Sequence, residues 1–482
     1  MLAVVHVLGQ LLAIFGITYV LPLVTSLAYR DGTFQEFAVA ALLTSGAGAV
    51  IALATRRYRR ELRSRDGFLL VTLAWVLMSA AATVPLLLLM PNVSFTDAFF
   101  ETTSGLTTTG STVLTGLDLL PPAVNLWRHL LHWIGGMGII VLALAILPLL
   151  GVGGMQLYKA ESPGPVKDAR LTPRITETAK ALWLAYTALT AACIVALRFC
   201  GLTWFDAVNH AFSAMALGGF STHDASVGYF DSAAVEWVLI AFMLIAAMSF
   251  ARHFIAFRRL TLAPYRTDPE GHALLLLLAI TVVAVTAMLL LEGVFREPFA
   301  AVRHTAFTVV SIATTSGFVT QNYENWPTFV GYWLLFLSCI CCSTGSTGGG
   351  IKMFRTLLLW RQAFREMRLM VHPNAVEPIR IGGQVVPNRI AYAVLAFIFL
   401  YFMTVVLLTF ALLLSDLDIV TAFSAVLASI NNMGPGLNRV GPSTTYQSLT
   451  DFQTWVCSIA MLLGRLEIFS VLVLLTPAFW KK

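Results

Sequence analysis

Four short polar segments carry the residue types most suited to chemistry. The first is Ser104-Gly-Leu-Thr-Thr-Thr-Gly-Ser-Thr112, uncharged, rich in hydroxyls and holding Gly110. With that glycine as origin, similar segments centre on Gly219 (Ser213-Ala-Met-Ala-Leu-Gly-Gly-Phe-Ser-Thr222), Gly317 (Ser311-Ile-Ala-Thr-Thr-Ser-Gly-Phe-Val-Thr320) and Gly434 (Ala428-Ser-Ile-Asn-Asn-Met-Gly-Pro-Gly436). A serine stands six residues before the glycine in three copies (Ser104, Ser213, Ser311), and Ala428 takes its place in the fourth. Repetition around one fixed glycine marks internal repeats. Glycine adopts positive φ with no Cβ clash, so the carbonyls of such a segment can all be turned to one side. A row of carbonyls with threonine hydroxyls is the lining that a dehydrated alkali cation needs. The candidate ligands are Thr108, Thr109 and Gly110; Leu217, Gly218 and Gly219; Thr315, Ser316 and Gly317; and Asn432, Met433 and Gly434. One such copy alone would be better read as a tight turn between helices; four copies converging on one axis can form a site.

The surrounding chain sets where these segments sit. Of 482 residues, 58% are hydrophobic and 12% charged, against about 25% charged in soluble domains. Mean hydropathy is +0.79. Apolar spans fall near 3–28, 37–55, 68–90, 124–150, 178–200, 233–255, 272–293, 328–360, 388–414 and 453–478, which is about ten helices at ~20 residues per crossing. The expected class is an all-α polytopic membrane protein. Between spans lie half-length helices near 97–108, 206–217, 304–315 and 421–432, each running into a glycine segment. Twelve residues reach about 18 Å, past the middle of a ~30 Å hydrocarbon core. Non-helical backbone at that depth must be buried in protein or line a watery path. The carbonyl ends of the half-helices, with roughly −0.5 charge each, favour a cation below the segments. The expected units are a two-helix scaffold at 1–66 and four repeats of span, half-helix, loop and span at 67–170, 171–270, 271–386 and 387–482.

Charge gives orientation. The run Arg56-Arg-Tyr-Arg-Arg60 with Arg63 and Arg65 is a strong cytoplasmic signal. Lys159, Lys167, Arg170 and Arg174 share the next inner loop. Arg252, Arg258, Arg259 and Arg266 follow, then Arg361, Arg365, Arg368, Arg380 and Arg389. Both termini then lie inside and the glycine loops outside. The net charge of +6 reflects these loops and calls for no nucleic acid. Acidic residues such as Asp97, Asp118, Asp206, Asp224 and Asp418 gather on the outer side, where they would concentrate cations. The six cysteines lie in or beside apolar segments with no metal spacing, which suits small, reduced, buried side chains.

Two features break the apolar pattern. Ser343-Thr-Gly-Ser-Thr-Gly-Gly-Gly350 interrupts a span too long for one crossing. Each glycine costs a helix about 1 kcal/mol relative to alanine, so a stiff helix cannot run through Gly345, Ser346, Thr347, Gly348, Gly349 and Gly350. Close helix packing through small residues and a mobile intramembrane loop both fit. Lys352 follows, as part of that loop or as an interfacial anchor. Arg465 sits about halfway along the last span, where an unpaired charge is costly; a structural ion pair and a barrier facing the path are the alternatives. Glu467 at i+2 is off its helix face. Arg128, His129 and His132 open the fourth span and read as interfacial or interhelical contacts, and His223 beside the second glycine as a hydrogen-bonded histidine.

Together the motifs Thr108-Thr-Gly110, Gly218-Gly-Phe-Ser-Thr-His223, Thr315-Ser-Gly-Phe318, Asn431-Asn-Met-Gly-Pro435, Gly345-Ser-Thr-Gly-Gly-Gly-Ile-Lys352, Gly464-Arg-Leu-Glu467 and Thr476-Pro477 resemble the Trk/Ktr/HKT superfamily of potassium transporters, closest to its bacterial TrkH-type membrane subunits. The resemblance spans essentially the whole chain. It implies four M1–pore-helix–M2 repeats around a central pore and two extra N-terminal helices. It also implies a homodimer in the bacterial inner membrane, a cytoplasmic TrkA-type regulatory subunit binding NAD or ATP, and potassium as the transported ion with no covalent cofactor. One glycine per loop would set the filter, here Gly110, Gly219, Gly317 and Gly434, with the 345–350 loop, Lys352 and Arg465 as the gate. A passive gated pore and a carrier coupled to H⁺ or Na⁺ are the two candidate mechanisms. The few carboxylates at depth, chiefly Glu467 with Glu101 nearer the outside, favour the pore. No zinc motif, P-loop or dinucleotide fingerprint is present, so an enzyme is not expected.

Overall fold

In lipid an apolar chain satisfies its peptide groups only by forming helix, and the architecture follows from that constraint. The computed structural model describes residues 1–58, 60, 62–141 and 171–481. Its helices are α1 (Leu2–Tyr29, with a 3-10 turn over Gly16–Tyr19), α2 (Phe34–Ala54) and α3 (Arg65–Leu89), then α4 (Phe95–Leu106), α5 (Pro122–Val141) and α6 (Leu171–Phe199). After these come α7 (Trp204–Ala216), α8 (Ala233–Ala247), α9 (Phe250–Arg259), α10 (Pro269–Leu291) and α11 (Pro298–Ala313). The chain continues as α12 (Thr328–Ile340), α13 (Met353–Val371), α14 (Asn388–Leu413), α15 (Ile419–Ile430), α16 (Asp451–Arg465) and α17 (Ile468–Leu472). A two-stranded antiparallel hairpin, Arg380–Ile381 with Gln384–Val385, joins α13 to α14. Lys159, Lys167, Arg170 and the expected end of the fourth span fall in 142–170, outside the described residues.

The long helices are apolar on the outside as well as the inside. Leu42 and Val283 are 74% and 69% exposed, as lipid-facing residues must be. The four half-helices α4, α7, α11 and α15 are instead buried along most of their length. Their starts explain themselves locally. Ser94, Thr203 and Asp418 each accept from the N–H three residues on, at Asp97, Asp206 and Thr421 (3.1, 3.0 and 3.0 Å), a standard N-cap. α11 begins earlier than the residue-304 start expected, because Pro298 at its first turn is pre-shaped for helix entry. α1 and α2 pack against this assembly through Tyr19, stacked on Trp127 at 4.4 Å with its hydroxyl on the Ala81 carbonyl at 2.9 Å.

Two expected straight spans are bent. The 233–255 stretch turns by 99° between α8 and α9, and the last span turns by 109° between α16 and the helical segment that follows. Arg465 therefore ends a helix and does not sit at its midpoint. The glycine-rich interruption between α12 and α13 is present as expected.

Candidate functional site

The half-helices end at the glycine loops, and each loop repeats one backbone path. Two residues before each glycine the chain is left-handed, at Thr108 (φ 53°), Leu217 (55°), Thr315 (61°) and Asn432 (52°). The glycines are left-handed again, at 83°, 83°, 82° and 98°. Thr109, Gly218, Ser316 and Met433 between them are not. Alternating the backbone's hand lets successive carbonyls turn to one side, as a carbonyl-lined cation path would require.

The loops meet head to tail. A Cβ placed on Gly110 would lie 1.9 Å from the Gly218 carbonyl oxygen. One on Gly219 would lie 2.1 Å from that of Ser316, and one on Gly317 2.1 Å from that of Met433. One on Gly434 would lie 2.9 Å from that of Thr109, which closes the circle. All four glycines border a single open cavity of about 90 Å³, walled by Ser111, Thr112, Ser221, His223, Asp224 and Tyr446 among others.

Side chains brace the ring. Thr109 Oγ1 shares a hydrogen bond with Thr107 Oγ1 at 2.7 Å and accepts from Asn432 Nδ2 at 3.0 Å, joining the first and fourth loops. Thr315 Oγ1 accepts from the Gly349 N–H at 2.9 Å. Thr108 and Ser316 hydroxyls have no hydrogen-bond partner among the described residues. Inside this shell lies an ion pair that the residue-by-residue reading left in pieces. Glu101, on α4, meets Arg128, on α5, at 2.8 Å, each 1% exposed. Glu101 also accepts from the Thr112 hydroxyl and the Val113 N–H beyond the first glycine (2.9 and 3.1 Å). Arg128 reaches the Ser221 carbonyl at 3.4 Å and lies over the Phe220 ring at 4.2 Å, beyond the second glycine. One buried pair thus links two loops. Its available signal was a Glu and an Arg, opposite in sign, flanking the same loop at membrane depth. His129 and His132 are both buried and not interfacial: His132 bonds Ser213 Oγ on α7 at 3.0 Å, an interhelical contact, while His129 bonds the Asn125 carbonyl one turn back in its own helix (2.6 Å) and faces the His210 ring of α7 at 6.2 Å. His223 bonds Asp118 and stacks on Tyr229 at 3.5 Å.

Below the ring, the 343–350 segment lies against the ends of the half-helices. Thr347 Oγ1 donates to the Met215 carbonyl on α7 at 3.0 Å, and Cys342 Sγ to that of Thr314 after α11 at 3.2 Å. A Cβ on Gly349 would stand 1.9 Å from the Asn431 carbonyl after α15, so the loop can approach only without a side chain there. Arg465, 3% exposed, spans the same level. Its guanidinium donates to the Thr347 carbonyl at 2.8 Å and to the Gly135 carbonyl of α5 at 3.0 Å. Lys352 Nζ donates to the Gly348 carbonyl, within its own loop. Gly345 accepts from the Phe250 N–H at 3.1 Å, and Ser346 Oγ donates to the Ser343 carbonyl at 2.6 Å. Gly350 is left-handed at φ 72°. Glu467 pairs with Arg355 at 2.8 Å, which removes it as a free carboxylate at depth. The six cysteines are all free, five of them buried.

Comparison with known proteins agrees along the chain. The family model described as "TrkH: Cation transport protein" matches residues 33–482. A Trk system potassium uptake protein TrkH from Halomonas elongata is 48% identical, over 99% of this chain and 99% of its own. The protein of that description from Escherichia coli K12 is 44% identical, over 100% and 99%. The crystal structure of the potassium transporter TrkH from Vibrio parahaemolyticus aligns with a TM-score of 0.92 at 44% identity, covering 100% of this chain and 99% of that one. The chain, a polytopic all-α membrane protein with a ring of glycine loops, belongs to the TrkH family of cation transport proteins.

Proposed function

We propose that this protein carries potassium into the bacterial cell through a gated, channel-like pore in the inner membrane. The observation that supports this most is the head-to-tail contact of four left-handed glycine loops, each at the carbonyl end of a buried half-helix. In this reading the carbonyls of residues 108–110, 217–219, 315–317 and 432–434 replace the water around the ion. The half-helix ends stabilise it below the loops. The 345–350 loop closes the path, held there by Arg465 on the Thr347 carbonyl. Lys352 steadies the loop through Gly348. Relatives named as potassium uptake proteins of a Trk system support potassium as the cargo and a partner-controlled system. The protein acts as a homodimer with both termini in the cytoplasm, under a TrkA-type NAD- or ATP-binding subunit.

Coupling to H⁺ or Na⁺ would require a carboxylate free to load its ion. Glu101 and Glu467 are both engaged by arginine, which favours the passive pore. Rubidium influx into proteoliposomes, with and without a sodium or pH gradient, tests this. Passive uptake follows the rubidium gradient alone. Uptake driven uphill by either second gradient would refute the pore, and uptake of sodium equal to rubidium would refute the filter.

A further inference from the structure

The four loops are alike in path but not in what their carbonyls do. Among the described residues, one carbonyl of the three-residue segments 108–110, 217–219, 315–317 and 432–434 accepts hydrogen bonds, and it is that of Gly434. It accepts two, from the Ser111 hydroxyl at 3.0 Å and the Tyr446 hydroxyl at 3.0 Å. A carbonyl oxygen has two lone pairs, so both are taken. Two further departures fall on the same residue. Its φ is 98° where the other three glycines stand at 82–83°. Its Cβ position is 2.9 Å from the neighbouring loop where theirs are 1.9–2.1 Å. The donors are built in. Ser111 and Tyr446 are 2% and 3% exposed. The Tyr446 N–H is anchored on the Thr112 carbonyl at 2.9 Å, and its ring lies 5.3 Å from that of Phe100.

We propose that Ser111 and Tyr446 are specificity-determining residues that withdraw the Gly434 carbonyl from the cation, leaving three free glycine carbonyls at that level of the filter. This rests on the filter assignment above and says how strong that filter is. Preference for potassium over sodium depends on the number and field strength of the carbonyls that replace hydration water. A carbonyl already bonded twice offers a weaker field, and the ion keeps more of its hydration on that side. The two hydroxyls hold the filter at modest affinity and modest discrimination.

The test is Ser111→Ala, Tyr446→Phe and the double variant, with Gly219→Ser as a control, in rubidium and sodium flux into proteoliposomes. Releasing the carbonyl lowers the half-saturating rubidium concentration of the double variant by about three- to tenfold, the scale of one net ligand interaction. It also raises the rubidium-over-sodium preference, each single change giving part of the effect. If Tyr446→Phe fails to fold, Ser111→Ala carries the test, since it removes one oxygen and no bulk. Unchanged or weaker rubidium preference in folded variants overturns the proposal. The control separates the two levels. If Gly219→Ser erodes preference while the hydroxyl variants change nothing, this inference alone falls. If Gly219→Ser is silent as well, the filter assignment falls with it.

Discussion

Adding one methyl group to each loop glycine in turn is a graded perturbation whose ranking follows from the geometry. All four positions have φ between 82° and 98°, so each alanine carries a similar cost for left-handed backbone, about 1–2 kcal/mol. The steric demand differs. A carbon rests comfortably about 3.3–3.6 Å from a carbonyl oxygen. At 110, 219 and 317 the new Cβ would stand 1.9–2.1 Å from a carbonyl of the next loop, so the two must part by more than about 1 Å. At 434 the distance is 2.9 Å, and about half an ångström suffices. The oxygens displaced are those of Gly218, Ser316 and Met433, which line the proposed path. Gly110→Ala, Gly219→Ala and Gly317→Ala are therefore expected to lower the rubidium-over-sodium preference by about tenfold or more, a loss of ~1.4 kcal/mol in discrimination. Gly434→Ala should stay within a few-fold of the parent. Initial rates of rubidium and sodium entry, measured on proteoliposomes with equal protein loading, provide the comparison. Gly434→Ala proving as damaging as the others, or Gly110→Ala leaving discrimination intact, would refute the reasoning.

Three other outcomes follow from the described contacts. Arg465→Ala removes two charge-assisted bonds to the Thr347 and Gly135 carbonyls, each worth about 1.5–3 kcal/mol, so rubidium influx should rise about tenfold or more; slower influx through monodisperse protein would assign Arg465 a purely structural role. Glu101→Gln and Arg128→Met each strand the partner of a buried ion pair, at about 3–5 kcal/mol, so the double variant should melt higher than their summed losses predict in a detergent thermal-unfolding assay, and strict additivity would deny the coupling. At Asp118, burial acts to raise the pKa, but hydrogen bonds from His223 and the Asp224 N–H outweigh it and hold the carboxyl below its ordinary 3.8. A depressed carboxylate contributes stability above its unfolded value and loses it as pH falls through the folded one. The outer clasp of Asp118 with His223 and Asp224 should then hold at neutral pH and release below 3.8. Melting curves from about pH 6 to about pH 3 should show an acid loss that Asp118→Asn reduces, and identical curves would remove Asp118 from the acid response.

Much of this arrangement was legible in the sequence because its demands are local. A left-handed backbone needs glycine, so Gly110, Gly219, Gly317 and Gly434 announce themselves by recurrence, and the half-helices announce themselves by length. Three of the four begin within two residues of the expected start; Pro298 moved the other. The bends after Ala247 and Arg465 were not legible, since neither Met248-Ser249 nor Leu466-Glu467 carries a proline or paired glycines. Distant chain makes the first of them. The Ser343 N–H donates to the Ala247 carbonyl at 3.0 Å and the Phe250 N–H to the Gly345 carbonyl at 3.1 Å, so the glycine-rich segment supplies partners for the facing ends of α8 and α9. The role of Glu467 was hidden for the same reason. A charge at membrane depth signals that a counter-charge exists, but Arg355 lies 112 positions from Glu467, and nothing in the intervening sequence points to it.

In a ring of identical subunits, any substitution is copied into every quarter. Here the four loops are successive stretches of one chain, so each can drift alone. Ser111 has no need of a counterpart around the circle, and the sequence gives it none: the residues one past Gly219, Gly317 and Gly434 are Phe220, Phe318 and Pro435. A fused ring can thus be tuned one oxygen at a time, in steps finer than fourfold symmetry permits.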